Sequence, residues 1–440
     1  MTRFRARWCF VLASVALAAS ACGSVPPAEP DAHDEPDAAV DAAPPTPTEC
    51  EPNTSVCAND VVTHCGPTGE VEGDPERCEL GCFADGTRCA RLDPSNGLAA
   101  ALDDTETAPA VVLTNGAIVD TDSGNVVNGN GTLVSIPSVV VNSDRMRVYK
   151  VASIEFGDTR VQGQKQFAVV SSGPIVVRGG ISANGRASAR GPGNAGCSVS
   201  EGAGGAITQT SGRVPGAGGG GFAGTGGAGG ANNGNGGASG RSVSNASLEP
   251  LRAGCDGGSV TFSNGSQARG GGGGGAMQLV SNTSISVSAQ GDRFGFINVG
   301  GGAGGVRGGG GGSGGGLLLE APQVAVTGVS SGGYAALAAN GGGGAGGCDH
   351  AGEDGRPDGA RAFPGFCATN STTSGGDGGA TSNLNGGSGQ TYAGSATTSQ
   401  AGGGGGGAGV IRINTANGAF SATGGAVVSG SSSVGTVRRR

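Results

Sequence analysis

Glycine fills 96 of the 440 positions, and so little side-chain material limits how this chain can build a core. Fixing a backbone costs ~1–2 kcal/mol per residue, and more for glycine. A buried Leu or Val returns only ~1.5–3 kcal/mol. A long glycine-rich stretch therefore stays mobile, or is ordered by backbone hydrogen bonds between strands so close that no Cβ fits. The glycines have no Gly-X-Y period and proline numbers only 20, which excludes collagen. Aromatic residues make up 4% and charged residues 14%.

Between the glycine runs lie short β-prone segments. The clearest are Phe167 to Gly185, Met277 to Gln290, Leu317 to Gly328 and Val410 to Gly430. Each opens with about four β-prone residues, turns at a polar or Pro/Gly corner, and starts an alternating strand some eight residues after the first. These second strands begin near Ile175, Ile285, Val324 or Ala325, and Gly418 or Ala419. A third strand of small residues follows in places, as at Ile181-Ser182-Ala183. Strand, corner, strand, corner, strand predicts one turn of a solenoid. The expected fold class is all-β, a right-handed parallel β-helix or solenoid with long glycine-rich insertions at about 186–274 and 341–409. Leu133 to Val141 and Ser153 to Val161 are expected to add earlier turns. The alternative is a domain of stacked polyglycine II helices. The first insertion alone would cost on the order of 100 kcal/mol to order, far beyond what its few apolar side chains return. Each insertion holds two cysteines, predicted to pair as Cys197 with Cys255 and Cys348 with Cys367.

The N-terminus points to export. Arg3, Arg5 and Arg7 precede an apolar run from Trp8 to Leu17, too short to span a bilayer as a helix. Ala19, Ser20, Ala21 and Cys22 follow, so residues 1–21 read as a signal peptide. The segment resembles a bacterial lipoprotein signal, with Ala19 where Leu is commonest, and the resemblance implies a lipid on Cys22. Gly23 and Ser24 are not the acidic residues that hold similar lipoproteins at an inner membrane, which implies an outer membrane. Ordinary cleavage, giving a secreted or periplasmic protein, is the alternative. Residues 22–49 form an acidic Pro/Ala tether, with Asp31, Asp34, Glu35, Asp37 and Asp41 and no Lys or Arg.

Residues 50–91 carry Cys50, Cys57, Cys65, Cys78, Cys82 and Cys89 around little core material, and read as a disulfide module in an oxidising compartment. Fifteen pairings are open. The module is EGF-sized, but three residues separate Cys78 from Cys82 where EGF modules keep one. Zinc, with His64 as a ligand, is the rival reading. Residues 92–440 form the large glycine-rich domain.

Most common chemistries lack their residues. GxGxxG strings arise by chance in such a chain, and none precedes a helical pattern. Neither Lys150 nor Lys165 sits in a P-loop. Gly311 to Gly315 fits GxSxG around Ser313, but a strand follows where the nucleophile elbow needs a helix. The only histidines are His33, His64 and His350, too few for triads or histidine metal sites. Asp349, Glu353, Asp354 and Asp358, with nearby glycines, are a candidate calcium loop, though a solvated polar loop explains them as well. Glu155, Asp158, Arg160, Arg178, Glu320 and Arg412 are candidate groups on an outer sheet face, where β-helix enzymes cut polysaccharides. They are spread thinly, while a glycosidase needs two carboxylates ~5–10 Å apart, so scattered charges on a solvent face are expected. The formal charge of −8, with no basic stripe, argues against nucleic acid. No cofactor is expected. Arg438, Arg439 and Arg440 read as a polar end-cap.

Residues 92–430 resemble glycine-rich surface lipoproteins of myxobacteria and their relatives, including a GGGGGGAGVIR-like stretch that stands here as Gly402 to Arg412. The resemblance implies β-solenoid coils with two glycine-rich inserts and carries no established activity. The expected function is a non-enzymatic, lipid-anchored cell-surface protein with a structural, adhesive or matrix-binding role. Its partners would be the membrane through the lipid, and a surface or matrix polysaccharide or another surface protein. The alternative is a carbohydrate-active β-helix enzyme, a lyase or a glycoside hydrolase.

Overall fold

A computed structural model describes residues 50–209, 212–243, 245–291, 293–329, 333–367, 373–394 and 399–440. The expected signal segment, Cys22 and the acidic tether with His33 lie outside the described residues. Among the described residues the regular structure is β, apart from one short helix, Ala99–Asp103, and two 3-10 turns.

The chain visits three sheets in rotation. Gln166–Ser171, Ile175–Val177 and Gly180–Ser182 supply one strand to each. Ala276–Ser281, Ser284–Ser288 and Gly295–Asn298 supply the next, then Gly316–Glu320, Gln323–Thr327 and Ala335–Ala338, then Val410–Thr415, Ser421–Thr423 and Val427–Ser429. The ladders between these strands are parallel. In the first sheet Phe167 stands beside Met277, then Leu317, then Ile411. Ile175, Ile285 and Val324 align in the second, and Ile181, Ile297, Leu337 and Val428 in the third. Side chains repeating every second residue put each of these on one face, and all three faces share one core.

The early region departs from expectation. Ser153–Phe156 and Thr159–Gln162 do complete a repeat that begins at Met146–Val151. Leu133 to Val141 does not. Leu133–Val134 and Ser138–Val141 pair antiparallel at the ends of two sheets. The chain reverses there because Asn142, Ser143 and Asp144 take φ of 56°, 55° and 68°, the left-handed region that folds a strand back on itself. In the last repeat the second strand begins at Ser421, not at Gly418 or Ala419, because Gly418 is still turning at φ 72°.

The first sheet is buried on both faces. Opposite the shared core, Met146, Val148, Val170, Val280, Leu318 and Val410 meet Leu92, Leu98, Leu102, Phe222, Leu248 and Leu251 in a second core. Strands covered on both faces carry apolar runs, as FAVV does; MQLV and LLLE each add one buried polar residue, Gln278 and Glu320. The second sheet has one wet face, and Ser284–Ser288 and Gln323–Thr327 alternate accordingly.

The glycine runs are bound into a backbone lattice with a threefold alternation. Gly216 and Gly219 donate their amides to Gly230 and Gly227; Ala217 and Gly220 donate to Gly308 and Gly311; Gly218 and Gly221 donate to Gly205 and Gly202. Gly402 to Gly407 behave alike, donating in turn to the segments around 387–390, 342–345 and 217–220. Gly310 to Gly315 do the same toward 255–258, 404–407 and 299–302. Each central segment thus bonds to three neighbours. A Cβ on Gly404 would collide with the carbonyl oxygen of Gly227, and one on Gly219 with that of Gly405. Both insertions take part, joined by the run at 300–315 that sequence reading left uncounted.

Candidate functional site

The cysteine module is a three-stranded antiparallel sheet, Ser55–Ala58, Val61–Cys65 and Val71–Arg77. Its disulfides are Cys50–Cys65, Cys57–Cys82 and Cys78–Cys89. Every sulfur that a zinc site would use is therefore bonded to another, and His64 Nδ1 lies 2.8 Å from Ser55 Oγ. Cys197 is joined to Cys255 and Cys348 to Cys367. Such bonds persist in an oxidising compartment. Among the described residues, no helix is long and apolar enough to cross a membrane.

The candidate calcium acids do not converge. Asp349 pairs with Arg307 at 2.8 Å, while Glu353 and Asp358 both pair with Arg356. Asp354 accepts the amides of Ala187 and Ala303 at 2.9 and 2.8 Å, tying two glycine segments together. Among the described residues no three His, Cys, Asp or Glu side chains gather as a metal site. These acids are structural ties, and a merely solvated polar loop understates them. Ser313 is fully buried in the lattice and accepts the amide of Cys255 at 2.8 Å. His350 is exposed, far in role from any serine elbow.

The outer-face charges are also dispersed. Glu155 pairs with Arg178 at 3.3 Å. Asp158 accepts the Gly180 amide at 2.8 Å, and Arg160 is exposed. Arg412 does face away from the shared core, where it donates to Asn414 Oδ1 at 2.8 Å and to the carbonyl of Val434.

Glu320 overturns the expectation of a solvent face, being only 2% exposed. The segment at Ser95 and the loop at Glu249 roof it. Ser95 N donates to its Oε2 at 3.1 Å and Gln278 Nε2 at 2.7 Å. Ser95 Oγ lies 2.8 Å from Glu320 Oε1 and 2.6 Å from Glu249 Oε1. One hydroxyl carries one hydrogen, so two ionised carboxylates cannot both be satisfied by it. Glu249 also pairs with Arg438 at 3.1 Å. Burial pushes the Glu320 carboxyl up, against the pull of its bonds from Ser95, Asn414 and Gln278. Ser95 Oγ is thus shared between the Glu320 and Glu249 carboxylates. The C-terminal arginines close the same roof: Arg438 also meets Asp93, Arg440 meets Asp103, and Arg438–Arg439 pair as a strand with Leu92–Asp93. They tie the roof down, which is more than a polar cap does.

Sequence reading missed the exposed aromatics. Phe294 is 43% exposed and Phe363 64% exposed, while Tyr149, Phe156, Phe167 and Phe222 are fully buried. Phe294 and Tyr334 precede Gly295 and Ala335, which are register partners. Their ring centroids are 4.5 Å apart. Phe296, two residues on and on the same face, lies over Gly180, where a Cβ would strike its ring. The Arg356 guanidinium lies 5.6 Å from the centre of the Phe363 ring. Burial raises the Tyr334 hydroxyl pKa, with the Asp358 charge adding and Arg356 opposing. The available signal was an aromatic residue at the same offset before the third strand of two consecutive repeats.

Two clefts flank the body. One, of about 270 Å³, lies where Cys78, Leu80 and Arg91 face Leu102, Asp103 and Arg440. The other, of about 770 Å³, is lined by Arg190, Asn194, Asp256, Gln267 and Arg269, and its acid is already held by Arg190 at 2.6 Å. Neither is lined by Glu249 or Glu320. No family model matches the chain, and no curated protein or solved structure is significantly similar to it.

Proposed function

We propose that this chain is an exported, non-enzymatic surface protein, lipid-anchored through Cys22, with a structural and matrix-binding role. Its three-sheet repeats would wind as a right-handed β-solenoid. The threefold hydrogen-bond alternation beside them is that of polyglycine II helices, so the two architectures weighed as alternatives would form one body. The tether at 22–49 would hold this body away from an outer membrane, and the partner would be a surface or matrix polysaccharide or another surface protein. The membership suggested by residues 92–430, with glycine-rich surface lipoproteins of myxobacteria and relatives, fits this reading.

The observation that carries the proposal is the engagement of the candidate acids and bases in structural contacts. Glu155 is spent on Arg178, Asp158 on a backbone amide, Arg412 on Asn414 and Val434. Glu320 lies buried beneath Ser95 and the loop at Glu249, out of reach of a glycosidic bond. Incubating the mature chain with a panel of bacterial polysaccharides, and measuring retention and new chain ends, tests this. Retention without new ends is expected. New chain ends would show a carbohydrate-active enzyme instead.

A further inference from the structure

We propose that the bridges Cys57–Cys82 and Cys78–Cys89 form one thiol-exchange centre. A small thiol entering at Cys89 converts them to Cys57–Cys78 and Cys82–Cys89, with no net oxidation or reduction.

The two bridges touch. Cys57 Sγ lies 3.5 Å from Cys78 Sγ, although the standing bonds join Cys57 to Cys82 and Cys78 to Cys89. Cys57 and Cys78 are buried with Val62 in one small cluster, and Cys82 and Cys89 pack against it. A thiolate released among such neighbours is poorly stabilised and strongly nucleophilic, and here it meets a disulfide sulfur at contact distance.

The other two cysteines already stand as a pair. Cys82 and Cys89 face each other across an antiparallel bridge. The Phe83 amide donates to the Arg88 carbonyl, and the Ala90 amide to the Gly81 carbonyl. Cys82 and Cys89 therefore occupy the position between those bonds, where facing Cα atoms lie ~4.5 Å apart. A disulfide spans ~4.4–6.8 Å between Cα atoms, so this new bond needs side-chain rotation and no new backbone path.

A way in exists as well. The cleft of about 270 Å³ between the cysteine module and the body has Cys78 and Cys89 on its wall, and neither Cys50 nor Cys65. Cys89 is only half-buried, which makes it the sulfur a small thiol reaches first.

Each step is a single displacement. The entering thiolate attacks Cys89 Sγ, the Cys78–Cys89 bond breaks, and Cys78 leaves as a thiolate. Cys78 then attacks Cys57 Sγ, forms Cys57–Cys78 and expels Cys82. Cys82 attacks Cys89 Sγ, forms Cys82–Cys89 and expels the small thiolate, which recovers its proton from solvent. The hairpin between Cys82 and Cys89 is then closed on itself and no longer stapled to Ser55–Ala58.

The test treats the full mature chain with glutathione at mildly alkaline pH, quenches with acid, and maps the disulfides by mass spectrometry. Cys57–Cys78 and Cys82–Cys89 should appear together, with Cys50–Cys65 retained and the free-thiol content unchanged. Contact should make this exchange at least about tenfold faster than any that links Cys50 or Cys65 to the other four. In the double variant Cys57→Ser, Cys82→Ser, the Cys78 thiolate has no neighbouring bridge to attack, so the glutathione adduct at Cys89 should build up above its wild-type level. Mapping of the wild type decides the matter even where that variant does not fold. Only the starting linkages after prolonged treatment, an adduct with no new linkage, or scrambling that draws in Cys50 and Cys65 equally would overturn the centre.

Discussion

The β repeats and the glycine lattice solve one problem by opposite means. In the repeats, Phe167, Met277, Leu317 and Ile411 form a column of side chains whose removal from water holds the sheets together. In the lattice, the runs at 216–221, 310–315 and 402–407 contribute almost no side chain, and each amide finds a carbonyl on one of three neighbours. The first region tolerates any apolar residue of roughly suitable volume. The second tolerates nearly nothing but glycine, because the space a Cβ would need is occupied by backbone. An interior can thus be built from area or from close approach, and the two differ in how they fail.

That contrast is sharpest for single methyl groups. Gly404→Ala should destabilise by more than about 4 kcal/mol or prevent folding, since the clash is with backbone that cannot rotate away. Gly234→Ala, where a Cβ would meet nothing within 4 Å, should change stability by under about 0.5 kcal/mol. Urea unfolding of both variants decides it. Equal effects would mean that the lattice is not close-packed.

The covalent tie comes next. Replacing Cys197 and Cys255 by serine opens a loop whose ends are 58 residues apart and should cost about 4 kcal/mol. Hydrogen exchange should show the loss in the glycine segments at 202–258 before the β repeats. Uniform loss would merge the two regions into one cooperative unit. Leu319→Ala, in the shared core, should cost about 3 kcal/mol and raise exchange first in the sheets, the mirror image of the disulfide variant.

The smallest expected effect concerns the roof over the first sheet. The folded pKa of Glu320 lies above its unfolded value, so the folded state holds more protons. Stability then falls as pH rises from the ordinary Glu range, near ~4.3, through the raised folded pKa, by at most about 1.4 kcal/mol per pH unit. Glu320→Gln mimics the protonated acid, with its amide donating to Ser95 Oγ, and should remove that decline. The variant should match the wild type near pH 4 and exceed it at neutral pH. Thermal unfolding across that range checks it, and parallel pH profiles would place the proton elsewhere.

Much of the β architecture was legible in the residues. Ile175, Ile285 and Val324 stand at the register positions their spacing predicted, because a period of two and a fixed corner length leave one alignment of apolar faces. The first and last repeats were misread where turns decide: Asn142 to Asp144 reverse the chain through positive φ, which composition does not announce. The candidate site was much less legible. Glu320 looked like a surface acid because its strand gives its direction but not what covers it. The contact between Phe294 and Tyr334 was hidden because the two rings come from different repeats.

The sequence by itself determined that the chain would be β, that its glycine runs had to be ordered by backbone if ordered at all, and which stretches hold the cysteines. These follow from local spacing and from the shortage of side chains. Only the tertiary structure decided that glycine segments far apart in the chain bond to one another, that the first sheet is buried twice, and that Glu320 shares one hydroxyl with Glu249. Those outcomes depend on which distant backbone arrives alongside, and a glycine run carries no side chain to say which neighbour it will meet.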